Sequence, residues 1–385
     1  MPELQDLGLG AADPRRAGRV GVQPLDWWSH PSDPRWWGSV LAIFFLSASV
    51  TWSSIRYAHR HHLIDQPGRR RSHERPTPRG GGIGIVIAAL VAIFLSAWLL
   101  PDAGVFHFPL TFGVALALVA AVGWVDDHRS LSARSRLLVQ VAAVVILLSP
   151  FVSYFASPAS DLLMLEIVLL AGIIAGGLLW SINLHNFMDG IDGLLACQAI
   201  FVFLCLATLS AGRPHAWQLL LLAAAVAGFL PFNFPRARVF MGDVGSGALG
   251  LLIGVVVLVS WPPLLLAGAI ACSGFVTDAT CTLLSRMLRG RRWYSAHREH
   301  LYQWLARSGF SHAGVVALYM GWNLLIVTPV LILADHGDGM IAPVHAGGLA
   351  WVVAVYALAV GLWIFGKRWC IQKMKSAAKA KLRQN

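Results

Sequence analysis

Long apolar runs, repeated along almost the whole chain, are the feature of this sequence that most limits its fold. Hydrophobic residues make up 57% of the chain and charged residues only 13%, whereas ordinary soluble domains carry about 25% charged residues. A helix that crosses a bilayer needs about 20 apolar residues. Apolar windows of roughly that length lie near residues 37–55, 82–100, 108–125, 137–156, 162–180, 194–211, 216–232, 247–262, 264–285, 313–334 and 346–366. The sequence therefore predicts an all-α polytopic membrane protein with about 11 transmembrane helices, and it excludes a large soluble core.

The distribution of basic residues indicates the orientation. If the predicted helices alternate in direction, the Lys and Arg residues of the short loops fall on one side, with Arg213 as the exception. Positive charge marks the cytoplasmic side of a membrane, so we expect the N-terminus outside and the C-terminus inside. The formal net charge of +11 would suggest a nucleic-acid partner in a soluble protein. Here the charges lie beside apolar spans, which indicates membrane lipids as partners and no nucleic acid.

Three segments are expected from the composition. Residues 1–36 form a Pro-rich polar tail that we expect to be extracytoplasmic and disordered. Residues 37–366 form the membrane-embedded domain, and residues 367–385 form a basic cytoplasmic tail. Glycine-rich and acidic segments concentrate in the predicted cytoplasmic loops, whereas the outer loops look like plain connectors. We therefore expect function on the cytoplasmic face of the central segment.

Two adjacent carboxylates follow an apolar run in the segment GWVDDHRSL. Asp126 and Asp127 would repel each other and lose hydration at a membrane boundary, so they need a cation, either an arginine or a divalent metal. The alternative is a solvated pair at a helix end that is neutralised by Arg129, Arg134 or Arg136. This segment alone leaves both interpretations open.

Polar side chains recur every three residues in the segment SINLHNFMDGIDGLL. Asn183, Asn186, Asp189 and Asp192 would lie along one side of a helix. Their oxygens can bind a hard cation, or the hydroxyl and imide groups of a ligand. The alternative is a pair of helix caps with an Asx turn. That alternative explains one Asn and one Asp, but it does not explain four polar residues in register.

A third segment, FNFPRARVFMGDVGSGALG, carries Asn233 and Arg238 ahead of a glycine-rich turn that contains Asp243. The helix that follows would begin with unpaired backbone N–H groups, which bind anions such as phosphate. Asp243 could then hold Mg²⁺ against those phosphates. The alternative is an ordinary helix cap.

A basic loop contains His297 and His300 with Arg298 between them. These side chains suit contacts to phosphate or metal, although a solvated loop attracted to lipid headgroups explains the charges equally well. Asp278 lies inside the ninth predicted span. A carboxylate in a membrane helix indicates either a functional role or structural pairing, and the sequence does not separate the two.

Taken in order between these spans, the segments resemble the polyprenyl-phosphate N-acetylhexosamine-1-phosphate transferase superfamily. The motifs that carry the resemblance are PTPRGGG (76–82), VDDHRSLS (125–132), NLHNFMDGIDG (183–193), NFPRARVFMGDVGS (233–246) and the loop 297–300. The resemblance covers about residues 37–366. Eleven helices with an internal C-terminus are similar to the bacterial O-antigen and common-antigen branch of glycosyltransferase family 4.

The resemblance implies a reaction in the bacterial inner membrane. A UDP-sugar would donate N-acetylhexosamine-1-phosphate to undecaprenyl phosphate and release UMP, which would initiate O-antigen or another envelope glycan. The implied cofactor is Mg²⁺, with Mn²⁺ as a substitute, and a homodimer is left open. Asp126, Asp127 and Asp243 are the implied catalytic residues, and Asp243 and Asn186 the implied metal ligands. The implied substrate-binding residues are Asn183, Asn186, Asp189, Asp192, Asn233, Arg238, His297, Arg298 and His300.

One motif departs from the family pattern. The sequence AHREH stands where common-antigen enzymes carry a HIHH-type motif, and it is similar to the variant in O-antigen initiators that accept UDP-N-acetylfucosamine or related sugars. Both UDP-N-acetylglucosamine and a UDP-deoxy-amino sugar therefore stay open. Two other functions are weighed: a transporter or lipid flippase, which would place ionisable residues near the bilayer midplane, and an intramembrane prenyltransferase, which would carry two similar Asp-rich motifs.

Overall fold

The structure is a computed structural model that describes residues 32–66, 75–100, 108–155, 163–211, 213–258, 262–291, 297–338 and 346–384. Within these ranges the chain forms two short strands and a series of helices. The strands are β1 (Ile64–Asp65) and β2 (Thr77–Pro78), and the helices are α1 (Pro34–Arg60), α2 (Ile83–Leu99), α3 (Pro109–His128), α4 (Ala133–Phe155), α5 (Met164–Met188), α6 (Leu194–Leu209), α7 (Pro214–Asn233), α8 (Asp243–Leu258), α9 (Pro262–Ala271), α10 (Ser273–Met287), α11 (Leu301–Arg307), α12 (His312–Trp322), α13 (Thr328–Asp338) and α14 (Ala346–Gln384). A π-helical turn, Asn323–Val327, joins α12 to α13.

The apolar helices match the predicted windows in place but not all in length. Seven spans in the described part of the chain are long and apolar enough to cross a membrane, and the bent pair α9–α10 makes an eighth. Helices α2, α6 and α8 are apolar but have only 16 or 17 residues, fewer than the usual value of about 20. The protein is thus an all-α polytopic integral membrane protein, as predicted. The predicted number of 11 spans is not confirmed, although each predicted window overlaps one of these helices.

Helix α8 lies at the centre of the bundle because its small residues let neighbouring helices approach closely. Residues 244–257 are all buried, and α8 packs mainly against α5 and α3. Gly250 lies against the backbone of Ile182, and the Ser181 hydroxyl donates to the Gly250 carbonyl at 2.7 Å. Small residues at helix crossings are typical of membrane proteins. Because α8 begins at Asp243, this packing places that carboxylate among the surrounding helix ends.

The single ninth span predicted at 264–285 is broken. Helices α9 and α10 meet at an angle of 64° around Cys272. Trp322 packs against the break, where its Nε1 donates to Ser273 Oγ at 3.1 Å. The break gives α10 its own direction, and α10, which carries Asp278, contacts α14 and α11.

Helix α14 is much longer than the predicted last span. Its 39 residues correspond to about 58 Å at 1.5 Å per residue, against a hydrocarbon core of about 30 Å. The helix passes residue 366 and continues to Gln384 without a break. The predicted segment boundaries stay predictions, and residues 1–31 of the predicted tail lie outside the described residues.

Candidate active site

Two short strands bring the PTPRGGG segment to the N-terminus of α8. Strands β1 and β2 pair antiparallel, with Asp65 opposite Thr77. Just after α7 the chain pairs with this hairpin: the Phe240 N–H donates to the Pro78 carbonyl at 2.8 Å, and the Gly81 N–H donates to the Phe240 carbonyl at 2.9 Å. Arg79 lies between these two hydrogen bonds and is thereby held beside the start of α8.

Five charged side chains form an alternating row, which we call the ion-pair row: Asp127, Arg79, Asp243, Arg136 and Asp126. Arg79 Nε lies 2.8 Å from Asp127 Oδ1, and its Nη2 lies 2.9 Å from Asp243 Oδ1. Arg136 Nη1 lies 3.0 Å from Asp243 Oδ2 and 3.0 Å from Asp126 Oδ2. Both oxygens of Asp243 are therefore paired with a guanidinium. Arginines therefore neutralise the two adjacent carboxylates. Arg136, one of the expected cations, pairs with Asp126, and Arg79, which was not expected, pairs with Asp127.

Asp127 has a second role as a cap for α8. Its carboxylate accepts hydrogen bonds from the backbone N–H groups of Asp243 at 2.9 Å and Val244 at 3.2 Å. Gly242 has a φ of +76°, and a Cβ at this position would collide with the carboxylate of Asp127. The sequence predicts a phosphate site at the start of α8, and in this structure the first two amides of α8 are bonded to this internal carboxylate. The phosphate site therefore stays a prediction.

The four regularly spaced polar residues of the 183–192 segment do not share one face. The Asn183 side chain donates to Gln140 Oε1 at 2.9 Å and to the Leu179 carbonyl at 2.8 Å, so it contacts α4. The Asn186 side chain donates to Ser246 Oγ at 3.1 Å and reaches Asp243. The chain leaves the helix after Met188, and the register predicted from helical spacing therefore ends before Asp189.

Asp189 has an unusual electrostatic environment. Withdrawal from water raises the pKa of Asp189 to about 8, with the charges of Asp243 and Asp127 acting in the same direction and Arg79 acting against them. Within the described ranges, no hydrogen bond or ion pair reaches its carboxylate. A carboxylate beside other carboxylates and without its own donor indicates a local deficit of positive charge. A bound cation would supply that charge.

Two predicted binding residues hold loops together. Asn233 is only 4% exposed, and it accepts from the Gly193 N–H at 2.8 Å while donating to the Val239 carbonyl at 3.0 Å. Asp192 accepts from the Ala237 N–H at 3.1 Å, and its Oδ2 lies 3.3 Å from His312 Nδ1. These contacts fix the 189–193 loop to the segment that leads into α8.

Arg238 points away from this arrangement. Its guanidinium donates to the Pro231 carbonyl at 2.7 Å and stacks on the ring of Phe232. Arg238 is exposed and does not line the cavity described below. The prediction that it contacts the substrate receives no support from its position.

The basic loop that contains His297 and His300 contributes Arg298 to the lining of the site. His300 is 2% exposed and stacks between the rings of Phe187 and Tyr302. Burial lowers the pKa of His297 to about 4, and the nearby His300 acts in the same direction. At neutral pH His297 is therefore uncharged, and the positive charge that this loop offers to a phosphate belongs to Arg298.

The polar side chains converge on one cavity of about 270 Å³. It is bounded by Arg79 and Asp243 of the ion-pair row, by the 186–192 loop, by the segment before α8 and by α11. Its lining residues are Asp65, Arg79, Asn186, Asp189, Gly190, Ile191, Asp192, Asn233, Phe240, Met241, Gly242, Asp243, Arg298, Gln303 and Ala306. The structure thus brings Asp243, Asn186, Asp189, Asp192, Asn233 and Arg298 together, and it places Asp126, Asp127, Asn183, Arg238, His297 and His300 outside the lining. Asp126 and Asp127 are connected to the cavity through their ion pairs with Arg136 and Arg79.

Several residues of the site were not recognisable from the sequence. No role was predicted for Arg79, Asp65 or Gln303, and Arg136 was expected only as a neutralising cation. The PTPRGGG motif was a usable signal for Arg79. The pairing of Pro78 with Phe240 connects segments more than 150 residues apart, and no local pattern predicts it.

The donor atoms of the cavity suit a hard divalent cation. Within the described ranges, no three His, Cys, Asp or Glu side chains already surround a common point as metal ligands. Mg²⁺, however, usually binds one or two carboxylates and completes its shell with water and substrate phosphates. Asp243 with the neighbouring Asn186 meets this requirement, and the unpartnered carboxylate of Asp189 lies on the same cavity. The residues present therefore fit Mg²⁺.

Comparison with known proteins agrees with this arrangement. Residues 109–261, which run from α3 through α8, match the model of glycosyl transferase family 4. The decaprenyl-phosphate N-acetylglucosaminephosphotransferase of Mycolicibacterium smegmatis is 28% identical over 361 residues, which are 84% of this chain and 87% of that protein. A probable undecaprenyl-phosphate N-acetylglucosaminyl 1-phosphate transferase of Bacillus subtilis is 27% identical over 322 residues, 76% of this chain and 83% of that protein.

A third relative is more similar over a shorter stretch. The phospho-N-acetylmuramoyl-pentapeptide-transferase of Deinococcus radiodurans is 32% identical over 244 residues, which are 56% of this chain and 72% of that protein. The matched stretch of the family model contains Asp126, Asp127, the 183–192 segment and Asp243. On these grounds the chain belongs to glycosyl transferase family 4, the polyprenyl-phosphate N-acetylhexosamine-1-phosphate transferase superfamily.

Proposed function

We propose that this protein transfers N-acetylhexosamine-1-phosphate from a UDP-sugar to undecaprenyl phosphate and releases UMP. UDP-N-acetylglucosamine is the favoured donor, because two of the relatives described above are named for N-acetylglucosamine phosphate transfer to a polyprenyl phosphate. A UDP-deoxy-amino sugar is the second candidate, from the AHREH motif. The product would initiate O-antigen or another envelope glycan in a bacterial inner membrane.

The ion-pair row is the observation that carries this proposal. It lies where α3 ends and α8 begins, and at the ends of such apolar helices we expect a lipid phosphate and a water-soluble donor to meet. Two arginines and three carboxylates alternate there. Phosphoryl transfer requires mainly positioning and charge neutralisation from a protein, and such a row can exchange its internal partners for phosphates and a cation.

The bond changes of the reaction need no strong base. An oxygen of the lipid phosphate attacks the phosphorus that carries the sugar. The bond from this phosphorus to the oxygen that bridges the two phosphates breaks, and its electron pair leaves with UMP. A phosphate monoester, with a second pKa near 6, is already largely dianionic at pH 7. We therefore assign Asp126 and Asp127 to orientation rather than to proton removal.

The arginines and the bound metal ion would both neutralise the negative charge of the substrates. Arg79 and Arg136 would contact the phosphate oxygens of the two substrates, since each guanidinium pairs with Asp243, and Arg79 and Asp243 line the cavity. Asp243 and Asn186 would hold Mg²⁺, with Mn²⁺ as a substitute. When bound, Mg²⁺ supplies charge neutralisation for the diphosphate and the leaving UMP.

The opposite wall of the cavity suits the nucleotide sugar. Arg298 offers charge to the diphosphate, and the amide of Gln303 can pair with the uracil imide or a sugar hydroxyl. Asp192 and Asn233 lie on the same cavity, but they already bridge two loops. We assign them to shaping this wall.

The decisive experiment measures UMP release by purified protein with undecaprenyl phosphate, UDP-N-acetylglucosamine or UDP-N-acetylfucosamine, with Mg²⁺ or with EDTA. UMP that depends on the lipid and on Mg²⁺ supports the proposal and identifies the sugar. Release of pyrophosphate from a prenyl diphosphate would indicate a prenyltransferase. A folded protein that releases neither would indicate a different UDP-sugar first, and a transporter or flippase second.

We further propose that the N-terminus lies outside and the C-terminus inside the cell, so that the cavity faces the cytoplasm. The basic end of α14, with Lys373, Lys375 and Lys379, supports this orientation. Labelling of cysteines introduced at the two termini of the full chain in intact cells, with a membrane-impermeant reagent, tests it.

A further inference from the structure

Asp278 is a carboxylate of α10 that lies outside the active-site cavity and accepts an unusual number of hydrogen bonds. Its side chain is 2% exposed. Five groups donate to it: the Leu301 N–H at 2.6 Å, the Tyr302 N–H at 3.2 Å, the Tyr319 hydroxyl at 2.7 Å, the Trp363 Nε1 at 3.1 Å and the Thr282 hydroxyl at 3.3 Å. The donors come from α10, α11, α12 and α14, so this one side chain connects four helices.

Neutral donors, and not a cation, satisfy this buried carboxylate. Within the described ranges, no Arg or Lys forms an ion pair with Asp278. His300 Nδ1 lies 3.9 Å from its Oδ1, and burial lowers the pKa of His300, which favours the uncharged ring. Arg286 instead pairs with Glu299, and the Lys367 ammonium stacks on the ring of Trp363. A carboxylate has only acceptor atoms, and its environment here consists of donors with fixed directions. Such a group sets the position of its partners.

Two of the five donors are the first two amides of α11, and α11 forms one wall of the active-site cavity. Gln303 and Ala306 of this helix line the cavity, as does Arg298 just before it. The only other donors to Asp278 from outside α10 belong to α12 and α14 in the described part of the chain. Asp278 therefore holds the beginning of α11 against the membrane helices behind it.

The side chain of Tyr302, the second residue of α11, connects this helix to the loop on the acidic side of the cavity. Tyr302 is 1% exposed, and its hydroxyl donates to the Phe187 carbonyl at 3.0 Å. The same hydroxyl lies directly under Gly190, where a Cβ would collide with it. The loop that presents Asp189 thus rests on the helix that Asp278 positions.

We propose that Asp278 is a positioning residue for the nucleotide sugar: it anchors the N-terminus of α11 so that Arg298 and Gln303 face the cavity. This inference rests on the proposed function for the identity of the ligand, and it rests on the hydrogen bonds of Asp278 for the anchoring itself. Trp363 and Tyr319 position Asp278 in turn, which gives the C-terminal helix a part in donor binding.

Asp278→Asn is the sharpest test, because it keeps the shape of the side chain and reverses the hydrogen-bonding character of one atom. The new NH₂ group would face donors, so at least one amide of α11 or the indole would lose its acceptor. Trp363→Phe removes one donor and leaves the carboxylate in place. Gln198→Leu is the matched control, since Gln198 is also buried and bonded between helices, but its partners are Ala271 and Asn323.

Two measurements on the full-length purified variants separate the anchoring from the activity. Hydrogen–deuterium exchange should be faster in Asp278→Asn for peptides that cover residues 299–307, with an unchanged rate in α8 and with little change in Gln198→Leu. The KM for the UDP-sugar should rise about ten-fold or more, while kcat and the KM for undecaprenyl phosphate change less than about three-fold. Trp363→Phe should show the same pattern with a smaller amplitude.

Each outcome bears on the inference. Unchanged exchange in residues 299–307 would overturn the anchoring role. Faster exchange with an unchanged donor KM would also overturn the proposal, because Asp278 would then be structural only. Exchange that is faster throughout the membrane domain would show general destabilisation and would likewise contradict it. If the wild-type protein releases no UMP from any donor, the proposed function fails, while the exchange measurement still decides the anchoring.

Discussion

Asp127 and Asp278 have the same local task in two regions of the molecule, and their other partners differ. Each is a nearly inaccessible carboxylate, 3% and 2% exposed, and each accepts from the first two amides of a helix that is not its own. Asp127 does so for α8, and Asp278 does so for α11. The remaining partner of Asp127 is the guanidinium of Arg79, whereas those of Asp278 are two hydroxyls and an indole.

This difference separates a region that can reorganise from a region that cannot. The guanidinium of Arg79 is shared with a second carboxylate, so its contacts can be exchanged when anionic substrates and a cation enter the cavity. The Thr282 hydroxyl has a second acceptor, the Glu299 carbonyl at 3.5 Å. Within the described ranges, Asp278 is the acceptor for the Tyr319 hydroxyl and the Trp363 indole and no second one is found, so its loss would leave buried polar groups unsatisfied. We therefore assign the same capping geometry to the reaction site at Asp127 and to the positioning of a helix at Asp278.

The largest effect is expected at the centre of the ion-pair row. Asp243→Asn removes the charge that pairs with both arginines and the main proposed metal ligand, so UMP release should fall by at least about 1,000-fold. Asp33→Asn, at a partly buried carboxylate that caps α1, is the matched control and should retain activity. Near-normal turnover of a folded Asp243→Asn protein would remove this carboxylate from the catalytic role.

The second prediction tests whether the cap by Asp127 matters for catalysis. Gly242→Ala adds a methyl group that collides with the Asp127 carboxylate at a positive φ, and activity should fall by about 100-fold. Gly290 has a similar positive φ of +65° but nothing within 4 Å of its Cβ position. Gly290→Ala therefore measures the backbone strain alone and should stay within a few-fold of wild type. Equal losses in both variants would show that strain, and not the cap, is responsible.

The third prediction tests whether Arg136 competes with the metal ion for Asp243. Arg136→Gln removes the guanidinium that pairs with Asp243 Oδ2 and Asp126 Oδ2, so Mn²⁺ should bind about ten-fold more tightly. Binding is measured by the electron paramagnetic resonance of free Mn²⁺, independently of turnover. Arg134→Gln changes an exposed arginine of the same helix and should leave the affinity unchanged. Weaker Mn²⁺ binding in Arg136→Gln would indicate that this arginine organises the metal ligands and does not compete with the metal.

The comparison also shows what a sequence of this kind reveals. Apolar length predicted the positions of the helices, because that signal is local. The resemblance to the transferase superfamily implied that Asp243, Asn186 and Arg298 belong to one site. The cap of α8 by Asp127 was not predictable, since it depends on the packing of α3 against α8. For the same reason the helical register of the 183–192 segment predicted Asn183 at the site, while the tertiary packing turned it towards Gln140.

Asp278 is a second residue whose contacts could not be predicted from the local sequence. Its burial in a membrane helix was evident from the sequence, but its partners lie in α11, α12 and α14, up to 85 residues away. The bend between α9 and α10 was also hidden within one continuous apolar window. Residues whose role is set by local chemistry were therefore recognisable, and residues whose role is set by contacts between distant helices were not.

The smallest effect is expected from a deletion that ends before helix α1 begins. Helix α1 has 27 residues, about 40 Å at 1.5 Å per residue, and its C-terminal end leads to β1, where Asp65 lines the cavity. Its N-terminal end, which begins at Pro34, is thus separated from the cavity by the length of the helix. Deletion of residues 2–31 keeps the Asp33 cap and should change UMP release by less than about two-fold. A large loss of activity in a correctly inserted protein would mean that the N-terminal segment reaches the cavity side, and it would contradict the proposed orientation.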